Sequence, residues 1–238
     1  MSKRPDLTLV LACFNEAPHF AESLRRIDEV LSFSHLSYEV LFVDDKSRDN
    51  TAELIRYACL RHKNRRAIYH RYNMGRGRTV SDGIEKARGT IVGYIDIDLE
   101  VSPVYIPMIV KEMLENGKLD VVIGKRTYRT SLPSVIREVL SLGYQFLSEK
   151  MVGTGYLDTE SGYKFFRRKK ILPILPKAKH PHWFWDTEII VFARNAGLFV
   201  VETPVLFVRR FDKKSTVRII PDTIDYIRSL WQLWKRLL

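Results

Sequence analysis

Cysteine is almost absent from this chain of 238 residues: only Cys13 and Cys59 occur, both among apolar neighbours. So few exclude a disulfide framework, and no Cys/His spacing suits a zinc site, so the chain reads as a resident of a reducing, cytoplasmic compartment. No apolar run reaches the length of about 18 residues that crosses a bilayer. The opening MSKRPDLTLV holds no apolar stretch of signal-peptide length. Repeats and low-complexity linkers are missing too, which favours one domain. Acidic residues are scarce relative to basic ones: 28 Asp and Glu face 39 Lys and Arg, a formal net charge of +11. That excess fits an anionic partner (nucleic acid, an anionic membrane surface or a phosphorylated substrate) or a merely solvated basic surface.

What is present is rhythm. LTLVLAC (7–13), YEVLFVDD (38–45), RAIYHRY (66–72) and TIVGYIDID (90–98) read as strands. Between them NEAPHFAESLRRIDEVLSF, SRDNTAELIRYACLRH and GRGRTVSDGIEKARG place apolar residues at steps of three and four, the helical period. Strand and helix alternate, so the spacing predicts a parallel, doubly wound α/β sheet flanked by helices. The second half is less regular. Helices are expected over PVYIPMIVKEMLENG, SVIREVLSLGYQFLSEKMVG, WDTEIIVFARNAG and the tail PDTIDYIRSLWQLWKRLL. Strands are expected over DVVIGKRT and SGYKFF, and FVVETPVLFVRR is an extended segment broken by Pro204.

Ligands of such sheets bind beyond the carboxyl ends of the strands. Three strands end there in polar groups: Asn15-Glu16, Asp44-Asp45, and Asp96-Ile97-Asp98 with Glu100 behind. If the last segment stays extended, alternation puts Asp96, Asp98 and Glu100 on one side. Crowded carboxylates repel unless a cation or shared proton relieves them. Hard oxygen ligands suit Mg²⁺ or Mn²⁺, which bind through one or two protein carboxylates and fill their shells with water and phosphate oxygens.

ACFNEAPHF, VDDKSRDNT, NMGRGRTVSDGIEKARG, IDIDLE and DTESGYKFFRR stand in the order found in family 2 glycosyltransferases of the GT-A fold. The chain most resembles the dolichyl-phosphate mannose synthase branch and its polyprenyl-phosphate relatives, over roughly residues 7–215. The resemblance implies a catalytic domain of 1–215 and a C-terminal amphipathic helix of 216–238. It implies transfer of a sugar, with inversion, from a nucleotide-sugar of the GDP-mannose or UDP-hexose type to a polyprenyl phosphate. It also implies roles for residues. Ala12, Asn15, Glu16, Asp44, Asp45, Arg76 and Asp96 fall on donor-nucleotide positions; Asp96, Asp98 and Glu100 on the metal site; Arg137, Ser141 and Lys164 on acceptor-phosphate positions. Asp98, Asp158 and Arg126 fall on catalytic ones. The chain departs from the family in having Ala12 for Pro, DKS for DGS, and Arg76 and Arg78 in GRGR.

An alcohol acceptor needs a base, for which Asp158 is the first candidate and Asp186 and Glu188 the others. A phosphate monoester, with a second pKa of about 6, needs none. Two basic groups, Lys164 with Arg167–Lys170 and Arg209–Arg218, invite membrane contact. The tail adds Ile224, Ile227, Leu230, Trp231, Trp234, Leu237 and Leu238 in one apolar stripe, suiting a helix in a bilayer interface or one packed on a protein. A peripheral position on the cytoplasmic membrane face follows. Two other readings stand beside this one: a glycosyltransferase with a hydroxyl acceptor, and a non-catalytic basic protein binding membranes or nucleic acid. Convergent acids argue against nucleic acid.

Overall fold

A computed structural model describes residues 4–128, 143–209 and 219–238. Its strands are β1 (Leu7–Cys13), β2 (Tyr38–Asp44), β3 (Arg65–Tyr69), β4 (Ile91–Ile95), β5 (Val121–Tyr128), β6 (Tyr163–Arg167) and β7 (Val200–Phe207). The helices are α1 (Ala17–Ser32), α2 (Thr51–Arg61), α3 (Arg76–Lys86), α4 (Ile106–Glu115), α5 (described over 143–152), α6 (Arg168–Ile171), α7 (Trp185–Asn195) and α8 (Ile219–Leu237).

One sheet runs in the order β3-β2-β1-β4-β6-β5-β7. All neighbours are parallel except β6, which runs antiparallel to both β4 and β5. Pleating divides each central strand between two cores, because alternate side chains face opposite sides. Leu7, Leu9 and Leu11 of β1 and Ile91 and Ile95 of β4 join α1, α2 and α4 in one core. Val10, Val92 and Tyr94 join α3 and α7 in the other. Burial on both faces explains why these strands read as near-continuous apolar runs. Successive strands move outward from β1 to β3, and the chain then returns to place β4 on the other side of β1. The carboxyl ends of β1 and β4 therefore flank a switch point, where such sheets open a crevice.

One expectation needs correction. Pro204 does not break its segment: β7 passes through it unbroken. β7 is the edge strand, and an edge tolerates a residue that cannot donate outward. The basic run that starts at Arg167 lies at the other end of the sheet from the acids. Because β6 is antiparallel, Arg167 pairs with Ile91 at the start of β4, at the sheet edge opposite the acids. There Arg167 ties down α4, donating to the carbonyls of Met113 (2.5 Å) and Asn116 (3.2 Å).

α8 packs on the domain. Leu230 and Leu233 are buried against Val152, Phe184 and Val191, with Tyr226 and Leu237 beside them. Arg236 Nη1 donates to Glu188 Oε1 at 2.5 Å, and Ser229 lies 3.3 Å from His180. The expected single stripe is two: Tyr226, Leu230, Leu233 and Leu237 face the domain, whereas Ile224, Ile227, Trp231 and Trp234 remain exposed. At 100° per residue these sets lie roughly a third of a turn apart. No described helix is long and apolar enough to cross a membrane.

Candidate active site

The loops after β1 and β2 are stitched together. Asn15 takes a left-handed conformation (φ 57°), which asparagine adopts more readily than most residues. Its Oδ1 accepts from Arg48 N at 2.7 Å, and its own N–H donates to Ser47 Oγ at 3.0 Å. Glu16 N donates to Thr51 Oγ1 (2.8 Å), and Ala17 N to Asp49 Oδ2 (3.1 Å). Ala12 lies on β1 opposite Val43, just below this loop. Asp44 accepts from Ser47 N through Oδ2 at 3.3 Å, while its Oδ1 is buried with no hydrogen-bond partner among the described residues. A ligand hydroxyl would satisfy it. Asp45 is different: its oxygens accept from Met74 N (2.7 Å), Gly75 N (2.9 Å) and His70 Nδ1 (2.8 Å). It organises the entry to α3. Gly75 there has φ 88°, and a Cβ would strike the Pro181 carbonyl and the His182 ring.

The acids after β4 do not extend the strand. β4 ends at Ile95, and Leu99 N donates back to Asp96 O at 3.1 Å, closing a turn with Leu99 at φ 54°. The alternation that placed Glu100 on the same side is therefore lost. Among the described residues no three His, Cys, Asp or Glu side chains come together to hold a metal. Asp96 and Asp98 remain as a pair. Asp96 Oδ1 accepts from Arg76 Nε (3.0 Å) and Nη2 (2.7 Å), and its carboxylate backs onto Gly162, where a Cβ would collide with it. The walls of the crevice raise the Asp96 carboxyl above its ordinary value, Arg76 opposes this, and the Asp98 charge raises it further. Two carboxylates under mutual repulsion, with oxygen donors only, fit a divalent cation that also takes phosphate oxygens.

Beneath this pair lies a buried network centred on Asp186 at the start of α7. Its Oδ2 accepts from Arg76 Nη1 at 2.5 Å, and its Oδ1 from Lys164 Nζ at 2.9 Å and from Tyr94 Oη. Burial opposes its charge, but Arg76 and Lys164 more than offset that and hold Asp186 below the usual carboxylate range. The Arg76 guanidinium also stacks 4.6 Å from the Trp183 ring. Two expectations fall here. Lys164 is fully buried and spent on Asp186, so it does not present an ammonium to an acceptor phosphate. Asp186 already accepts several donors in the interior, which leaves it a poor base. Glu188 is likewise structural, accepting from Lys179 N and His180 N at 2.7 Å and from Arg236.

Arg126 and Asp158 do meet. Asp158 Oδ2 accepts from Arg126 N (3.0 Å) and Nε (2.9 Å), and Oδ1 from Nη2 (2.7 Å). Both carboxylate oxygens of Asp158 are thus engaged by Arg126. Arg137 and Ser141 lie outside the described residues. Sequence reasoning did not single out Glu160, whose Oε2 lies 3.5 Å from Arg126 Nη2, although it stands inside DTESGYK.

Three loops of acids at a β1/β4 switch point, with a basic clamp behind, narrow the possibilities, and comparison decides among them. The profile described as "Glycosyl transferase family 2" matches residues 8–174. The chain belongs to glycosyl transferase family 2. Among relatives of this family 2 chain, glycosyltransferase AglD of Haloferax volcanii is 28% identical over 97% of the chain, which spans 38% of AglD's length. Dolichyl-phosphate beta-glucosyltransferase ALG5C of Trichomonas vaginalis is 25% identical, covering 93% of the chain and 69% of the relative. Glucosyl-3-phosphoglycerate synthase of Mycobacterium tuberculosis, solved with Mn²⁺, UDP and glucosyl-3-phosphoglycerate, superposes with a TM-score of 0.66 at 18% identity, over 96% of this chain and 78% of that one. The fold is therefore the GT-A type.

Proposed function

We propose that this family 2 chain is an inverting glycosyltransferase that moves a sugar from a nucleotide-sugar to a polyprenyl phosphate at a membrane surface. The Asp96–Asp98 pair beside the clamped loops of β1 and β2 carries the reading. Relatives named for dolichyl phosphate and structural neighbours solved with Mn²⁺ and nucleotide support it. Asp96 and Asp98 would hold Mg²⁺ or Mn²⁺, which when bound offsets the charge growing on the departing diphosphate. Arg76 fixes Asp96 from behind, and the Asp44 Oδ1, which has no partner among the described residues, takes a nucleoside hydroxyl, with Asn15 and Glu16 at the rim. Arg126 sets the acceptor side by holding the 158–160 loop. Arg137 and Ser141 are the proposed phosphate grip. Asp158 is occupied by Arg126, which favours an acceptor that arrives already ionised over a hydroxyl that must lose a proton.

GDP- and UDP-sugars, offered with Mg²⁺ or Mn²⁺, test this against a short polyprenyl phosphate and the matching polyprenol. Metal-dependent transfer to the phosphate alone is expected. Transfer only to the alcohol, or to neither with any donor, overturns the reading.

The exposed face of α8 is the proposed membrane contact. Trp231 is 48% exposed, and Lys235 Nζ sits 3.5 Å from its ring centroid. Ile224, Ile227, Arg228, Trp231 and Met151 line an open apolar groove of about 480 Å³. Trp beside Lys and Arg suits the headgroup boundary. Trp231→Ala with Trp234→Ala should weaken sedimentation with anionic liposomes, and salt should weaken wild-type binding. Unchanged sedimentation in the double variant would remove α8 from the membrane contact.

A further inference from the structure

Residues 178–184 cross from the short turn at Leu175–Lys177 to α7 with no strand or helix of their own. Yet this loop presses closely on the entry to α3. A Cβ on Gly75 would stand 2.5 Å from the Pro181 carbonyl oxygen, and one on Gly77 2.6 Å from that of His182. Arg78 N, in the first turn of α3 where no intrahelical partner exists, donates to Pro181 O at 3.2 Å. The Trp183 ring lies 4.6 Å from the Arg76 guanidinium, which donates twice to Asp96 Oδ1. Whatever holds this loop therefore bears on the carboxylate pair.

The other end of the loop is held by α8. Arg236, in the last turn of that helix, donates from Nη1 to Glu188 Oε1 and from Nη2 to the Lys177 carbonyl at 2.7 Å. The second oxygen of the same carboxylate, Glu188 Oε2, accepts from Lys179 N and His180 N, both at 2.7 Å. One side chain thus joins α8 to the start of the loop, an oxygen to each. Ser229 Oγ, 3.3 Å from His180 Nε2, adds a second tie. The Glu188 side chain is 3% exposed and that of Arg236 39%. A buried carboxylate is costly without its cation. Loss of Arg236 therefore favours rotation of Glu188 toward water, which releases the Lys179 and His180 amides.

We propose that Arg236 is a positioning residue for the Asp96–Asp98 pair, acting through Glu188, the 178–184 loop and Arg76. The inner face of α8 then belongs to the site, and its seating on the domain sets how firmly the pair holds a cation. This rests on the metal-site reading above and is separate from the exposed face of the same helix.

Mn²⁺ affinity, titrated by paramagnetic resonance with UDP or GDP present, is compared in wild type, Arg236→Met, Arg236→Lys, Glu188→Gln and the double variant of Arg236→Met with Glu188→Gln. Arg236→Met should weaken Mn²⁺ binding about tenfold, the size usual for groups that orient a metal ligand from behind. Loss of a positive charge by itself favours a bound cation, so weakening marks positioning and not charge. Arg236→Lys, which keeps a donor for Glu188, should recover part of the loss. In Glu188→Gln the amide oxygen still accepts from Lys179 N and His180 N, but the carboxylate that pairs with Arg236 is gone. Adding Arg236→Met to it should therefore cost little more. Exchange of the Arg78 amide, followed by NMR, should quicken in Arg236→Met as Pro181 O moves away. Unchanged Mn²⁺ affinity in Arg236→Met, an effect that simply adds to that of Glu188→Gln, or an Arg78 amide as protected as in wild type would each overturn the inference. Failure of wild type to bind Mn²⁺ with either nucleotide would instead overturn the metal-site reading.

Discussion

Asp98→Asn should lower metal-dependent turnover by a hundredfold to a thousandfold while leaving the thermal midpoint almost unmoved. The turn is closed by the backbone bond from Leu99 N to Asp96 O, and an asparagine keeps an oxygen to accept from Glu100 N as Asp98 Oδ1 does at 3.3 Å, so it survives loss of one side-chain charge. What is lost is half of the carboxylate pair that would hold the cation. Neutralising the departing diphosphate is worth several kcal/mol, and roughly 3–4 kcal/mol corresponds to that range. Binding of Mn²⁺, read by paramagnetic resonance with nucleotide present, should weaken in parallel. Asp96→Asn should do the same and also loosen Arg76, which donates twice to Asp96. Wild-type turnover in both variants would end the metal-site proposal.

Asp186→Ala should be the most destabilising single change in the site. It leaves Arg76 with one carboxylate partner and Lys164, fully buried, with none of the acid it now contacts. Removing one member of a buried ion pair costs about 3–5 kcal/mol. For a chain of this size that lowers Tm by roughly 6–20 °C. The pH dependence has a definite sign. The Asp186 carboxyl is held low in the folded state, so its contribution is present above the unfolded value of about 4. It disappears as pH falls from there through the lower folded value. Wild type should thus lose stability on acidification where Asp186→Ala does not. Adding Lys164→Met to Asp186→Ala should recover part of the loss, because the stranded ammonium is gone. Equal melting of wild type and Asp186→Ala at neutral pH would show that the network contributes nothing.

The motifs announced which residues matter, and often misjudged what they touch. Asp96 and Asp98 were legible because acids at the end of an apolar strand are unusual, but the turn that drops Glu100 out of line follows from Leu99 in a left-handed conformation. Lys164 and Asp186 are separated by 22 residues in sequence, and nothing local marks them as partners. A lysine inside SGYKFF looks like any strand lysine until α7 is laid across β6. The same holds for Glu188 and Arg236, joined only when α8 docks.

By itself the sequence determined the alternation of strands and helices, the edge on which the acids gather, and the family. Each is written in short-range patterns: apolar runs buried on both faces, a helical period of three and four, and glycines where the backbone must pass closely. Tertiary structure alone decided which charges are available. It turned Lys164 inward, spent Asp158 on Arg126 and Asp45 on the α3 entry, and left Glu160 with one long contact to its cation. It also split the apolar tail of α8 into an inner and an outer face. The physical reason is that a charge in a crevice is governed by what lies within a few ångströms of it, and those neighbours come from strands and helices far apart in the chain.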